Sequence, residues 1–178
     1  MRRVVICLAG IAVVSACSKA PATTALANAA APAGAATKVA PAGSGPSLTG
    51  TYSVDGKPAA LTQVTAHKGD PRDGQPVTDI VFSEKDQGGD AQAAEDALEG
   101  NFGDAIVAKV ASDGSLIGVD IRHTALHSPI SVSISGILTM SDYRLAGGEV
   151  SGRLTSGGPV DVFDQKLGVD LAFHTKAP

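Results

Sequence analysis

From residue 48 onward, apolar and polar side chains alternate with a period of two along most of the chain, the pattern of half-buried strands. Leu48, Gly50, Tyr52 and Val54 alternate with Thr49, Thr51 and Ser53, and Asp55-Gly56-Lys57-Pro58 supplies a turn. Residues 60–67 predict a second, weaker strand, residues 68–75 have the composition of a loop, and residues 77–83 return as a third strand. Residues 105–110 and the alternating Ile117, Val119 and Ile121 flank Ser112-Asp113-Gly114-Ser115, a hairpin signal. Ile130, Val132 and Ile134 alternate with Ser131, Ser133 and Ser135, which predicts a strand with one wet face; Gly136 then predicts a bulge before Ile137 and Leu138. Tyr143 and Leu145 meet Val150, Gly152 and Leu154 across Gly147-Gly148, and Leu167, Val169, Leu171 and Phe173 form the last strand.

One segment departs from this period. Asp90 is placed to cap a short helix over residues 91–98, with Gly100 as its stop and Leu98 as its only large anchor. About eight or nine short strands joined by turns, plus one short helix, predict an all-β domain: a mostly antiparallel sandwich or barrel. The alternation of strands and helices that builds a parallel α/β sheet is missing. Gly88-Gly89 and Gly157-Gly158 match no phosphate-binding spacing and read as turn residues.

The first 47 residues have a different composition. Residues 18–47 contain 12 Ala among 30 residues, four prolines, no acidic residue and no aromatic. Such a segment buries too little apolar surface to offset its ordering entropy. It is expected to be a flexible linker spanning about 30 Å as a coil. Upstream, Arg2 and Arg3 precede the apolar run 4–14, which at eleven residues is too short to cross a bilayer as a helix. A basic start, a short apolar stretch and small residues before a break are the marks of a secretory signal.

Val14-Ser15-Ala16-Cys17 completes that signal and resembles the lipobox of bacterial lipoproteins. The resemblance covers residues 1–18 only. It implies cleavage before Cys17, a diacylglyceryl thioether on its sulfur and acylation of its new amine, with residues 1–16 discarded. Ser18 resembles the outer-membrane-directed class, which implies a periplasm-facing anchor in the bacterial envelope. Two or more acyl chains hold a protein stably on a bilayer where one does so only marginally. Cys7 leaves with the signal and Cys17 carries lipid, so the expected mature chain, residues 17–178, forms no internal disulfide.

Charge changes the picture further. All 18 acidic residues fall after residue 48, against 10 of the 14 basic ones, so the domain 48–178 carries a formal −8 where the whole chain carries −4. An acidic surface is repelled by phosphate-rich partners, and nucleic-acid binding is set aside.

The candidate chemistry is thin. His67, His123, His127 and His174 are the chain's histidines, and His123 and His127 are four apart. That spacing aligns two ligands on a helix, but His123 ends a predicted strand and Ser128-Pro129 follows. A zinc or copper site would need His67 or His174 brought in from neighbouring strand ends. Asp70, Asp73, Asp86 and Asp90 lack the alternating ligands of a calcium loop and read as turn formers. No nucleophile elbow is present, and the stripe Ser131, Ser133 and Ser135 reads as a solvated strand face. Gly50-Thr51-Tyr52 and Ser141-Asp142-Tyr143 resemble two short elements of lipocalins, although the Trp of that family and its C-terminal helix are missing. The expectation is a membrane-anchored lipoprotein without a cofactor or catalytic residues. It would act as a protein-interaction or structural module in the envelope; the alternative is a β domain that binds a small ligand or a metal.

Overall fold

Turn chemistry and period-two patterning together build eleven strands into two antiparallel sheets, packed as a sandwich and not closed into a barrel. The computed structural model describes residues 45–128 and 130–178. The signal segment, Cys17 and residues 18–44 of the expected linker lie outside the described residues. The first sheet runs in the order β2 (Lys57–Ala59), β1 (Ser47–Val54), β11 (Gln165–Lys176), β9 (Glu149–Thr155) and β8 (Thr139–Ala146), with β10 (Val160–Val162) paired to the start of β11. The second runs β3 (Gln63–Arg72), β4 (Gln75–Ser83), β5 (Ala105–Ala111), β6 (Leu116–Arg122) and β7 (Val132–Ile134).

The core lies between the inner faces. Strand β11 shows the alternation most plainly: Gln165, Leu167, Val169, Leu171, Phe173 and Thr175 are buried, and every residue between them is at least partly accessible. Phe173 meets Phe82 of β4 edge to face, with ring centroids 5.3 Å apart, which locks one sheet against the other. Around them pack Tyr52, Ile80, Ile106, Ile121, Val150 and Leu154. Strands β4 and β5 are buried on both faces, which is why residues 80–82 and 105–108 are continuously apolar. Their outer residues Val81, Ala105 and Val107 lie under the helix α1 (Ala93–Glu99), whose Ala97 is fully buried.

Several boundaries differ from the sequence reading. Residues 68–75 are not a loop: β3 continues to Arg72, Asp73-Gly74 makes a two-residue turn, and β4 starts at Gln75. Both turn residues have positive φ, 51° and 76°, so Asp-Gly closes a hairpin inside what read as one polar stretch. Helix α1 begins two residues later than expected. Asp90 does not cap it directly; its Oδ1 accepts the Gln92 amide at 2.9 Å in a turn that precedes the helix, and Gly100 ends the helix at φ 92°. Gly136 is not a bulge within a strand: β7 stops at Ile134, and the chain crosses to the first sheet with Leu138 buried on the way. Ile130 lies outside β7 and is exposed. Strand β10 was not anticipated.

Candidate interaction surface at one end of the sandwich

The four histidines do not converge. His67 on β3 points away from the core on the second sheet, where its Nε2 bonds Thr65 Oγ1 at 2.7 Å. His174 on β11 lies on the outer face of the first sheet, its Nε2 3.1 Å from Glu149 and its Nδ1 3.4 Å from the Gly45 carbonyl. The two outer faces are separated by the full sandwich, whose sheets stack about 10 Å apart, so these two rings cannot share an ion. His123 is only 4% exposed and stands edge-on to Tyr52, ring centroids 5.0 Å apart. Its Nδ1 accepts the Ala125 amide at 2.9 Å, which puts the proton of the neutral ring on Nε2, 3.6 Å from Asp104 Oδ2. Both nitrogens are therefore turned into the protein. Asp104 in turn accepts the Thr124 amide at 2.7 Å. This buried group is a structural bracket that fixes the segment leaving β6. Among the described residues no group of three or more His, Cys, Asp or Glu side chains is arranged to hold a metal ion.

That bracket positions one end of the sandwich. The central residue there is Gln165, a buried amide at the start of β11. Its Nε2 donates to Asp55 Oδ2 at 2.9 Å and to the Ala125 carbonyl at 2.8 Å, and its Oε1 accepts the His127 amide at 2.8 Å. Asp55 also accepts the Lys166 amide at 2.7 Å and returns its own amide to the Lys166 carbonyl at 2.8 Å. The Lys166 N–H and the Gln165 amide together hold the Asp55 carboxyl below the ordinary carboxylate range. One glutamine thus ties the β1–β2 turn, the segment after β6 and the β10–β11 hairpin into a single rigid end.

The hairpin it supports is unusual. Four two-residue hairpin turns among the described residues have positive φ at both central residues: Asp55-Gly56, Asp73-Gly74, Gly147-Gly148 and Phe163-Asp164. The first three use the residues that this turn favours. The fourth places Phe163 at φ 51° and Asp164 at φ 61°, where a side chain with a Cβ is strained. Phe163 is also 62% exposed, whereas Tyr52, Phe82 and Phe173 are buried. Ile130, three residues beyond the pinned His127, is 69% exposed. Asp164 is the exposed second residue of this turn, and Asp161 on β10 pairs with Lys166 at 2.7 Å.

Comparison with family models, with curated proteins and with solved structures finds no match. The surface rests on its own geometry.

Sequence reasoning missed Phe163 and Ile130. Phe163 carried a signal, because it stands where a turn is needed and no Gly or Asn is present. Ile130 was absorbed into the alternation of Val132 and Ile134 and looked like a core residue.

Proposed function

We propose that this protein is a lipid-anchored lipoprotein of the bacterial envelope. Its sandwich serves as a non-enzymatic interaction module that docks a protein partner through Phe163 and Ile130. The observation that carries the docking reading is the Phe163-Asp164 turn. The same chain makes three equivalent turns with Asp-Gly or Gly-Gly, so the strained and exposed aromatic is not required by the fold. Strain retained at an exposed position points to use of that position. The Gln165 network holds the hairpin base rigid, so little conformational freedom is lost when a partner closes over the ring. Aromatic anchors of this kind dominate binding energy when they enter a pocket.

A protein suits this surface better than a bilayer does. Asp164 is the next residue of the same turn, and burying an ionised carboxylate among lipid chains is costly, whereas a protein pocket can supply a donor for it. Gly45, the first described residue, leads into β1 at the end opposite Asp55. Lipid attachment at Cys17 would raise the effective concentration of a co-anchored partner, which makes a small contact sufficient.

The anchor is tested by the intact mass of the protein from its native host. The expected result is loss of residues 1–16 and acyl chains on Cys17, with Cys17→Ala leaving the protein in the soluble fraction. An unprocessed N-terminus or a free thiol would overturn the envelope reading.

A further inference from the structure

We propose that the groove on the outer face of the first sheet, between the Arg153–Asp170 pair and the loop 156–159, is a binding site for a neutral saccharide. The groove has a volume of about 480 Å³ and lies away from the Phe163 hairpin tip. That volume falls within the ~300–1,000 Å³ of ligand clefts.

Its floor is the face of β1, β11 and β9. Gly168 brings no side chain of its own to the centre, and the Ser53 hydroxyl of the neighbouring strand leans over it, 3.0 Å from where a Cβ would sit, so the floor presents a hydroxyl there. One wall is the loop 156–159, held in shape by Ser156. The Ser156 amide donates to the Val169 carbonyl at 2.9 Å, and its hydroxyl accepts the Val169 amide at 3.0 Å. That hydroxyl also donates to the Gly158 carbonyl at 2.6 Å. Opposite this wall, Arg153 Nε and Nη2 each donate to an Asp170 carboxylate oxygen at 2.7 Å.

The donor and acceptor inventory selects the ligand. Thr51 and Ser53 line the groove, and among the described residues their hydroxyls make no hydrogen bond to protein. Thr155 accepts the Gly157 amide at 3.0 Å and keeps its own proton to donate. A guanidinium has five N–H donors and the ion pair uses two of Arg153's; each Asp170 oxygen retains a further lone pair. The site therefore offers paired donors and acceptors in one planar unit, surrounded by hydroxyls. Its charged residues cancel, so it has no net attraction for a phosphate or a metal ion. The backbone groups of the floor are already paired in the β1–β11 and β11–β9 ladders, so an extended peptide finds no edge to join. A polyhydroxylated ring, each hydroxyl both donor and acceptor, matches what remains. No aromatic side chain lines the groove, so there is no stacking platform, and affinity rests on hydrogen bonds, with a Kd of about 1 mM.

The test is an amide chemical-shift titration of the full-length protein in a sugar-free zwitterionic detergent, with tetra-N-acetylchitotetraose and maltotetraose as separate probes. Saturable shifts at Thr51, Ser53, Gly157, Gly168 and Asp170 with at least one probe are expected. Arg153→Ala and the near-isosteric Thr51→Val should each weaken binding by about tenfold, because a hydroxyl-reading site loses most when its partners are removed. Silence with both probes up to ~20 mM, far above that Kd, would overturn the proposal. So would shifts confined to another face, binding unchanged in both variants, or inorganic phosphate moving the same amides.

Discussion

At Phe163 backbone preference and the proposed docking role pull in opposite directions. A left-handed conformation costs a residue with a Cβ roughly 1–2 kcal/mol, and Asn tolerates it better than other such residues. Replacing Phe163 with Asn should therefore stabilise the fold by about 1 kcal/mol, measured as a higher urea midpoint with an unchanged slope. A lower midpoint would mean that the ring packs usefully and that the strain is not retained for docking. His174 gives a second residue-scale expectation. Its hydrogen bond to Glu149 raises its pKa above the ordinary imidazole value, with a smaller contribution from the Gly45 carbonyl. The stability this supplies is complete below about pH 6.5, the unfolded value, and is lost as pH rises through the folded one. Thermal melts across that window should show this decline in the native protein and a flatter profile in His174→Gln; parallel profiles would remove the Glu149 pairing from the account. His174 and His67 read from the sequence as possible co-ligands, but a strand's period of two put them on opposite outer faces.

At the scale of elements, β1 depends on one glycine. Gly50 adopts φ 122°, and a Cβ there would sit 1.9 Å from the Asp170 carbonyl oxygen of β11. Gly50→Ala should cost at least ~2 kcal/mol and lower the unfolding midpoint accordingly, combining strain with a backbone clash. A change smaller than about 0.5 kcal/mol would show that the β1–β11 ladder yields there. The strands themselves were largely legible because half-buried sheets write their faces directly into the sequence, as Leu167, Val169, Leu171 and Phe173 do. What escaped was set by turns and by long-range contacts. Residues 68–75 look like a loop because Lys68, Asp70, Arg72 and the Asp-Gly turn are polar, yet β3 is an edge strand and only β4 and β5 beside it need to carry the apolar residues. The late start of α1 and the end of β7 were decided by local hydrogen bonds and a sheet crossing that the period does not encode.

For the whole molecule, the sandwich solves a composition problem. A chain with no Trp builds its core from Val, Ile and Leu around the Phe82–Phe173 contact, and seals β4 and β5 beneath an Ala-rich helix. The polar bracket of His123, Asp104 and Gln165 then stiffens one end, and two of the three exposed large apolar residues among those described, Ile130 and Phe163, follow the segments that it pins; the third, Leu145, lies by the other end of β11. The all-β class was readable from the sequence; the Gln165 end was not, because it depends on that residue joining positions 40 and 110 away. The most direct test places a photo-reactive phenylalanine analogue at residue 163 in the native host, with an equivalent probe at exposed Lys176 on the far end of β11. One reproducible envelope-protein adduct is expected from residue 163, weakened by Ile130→Asp, and none from residue 176. An identical adduct from both positions, or none from residue 163 while the protein remains folded and anchored, would contradict the docking reading.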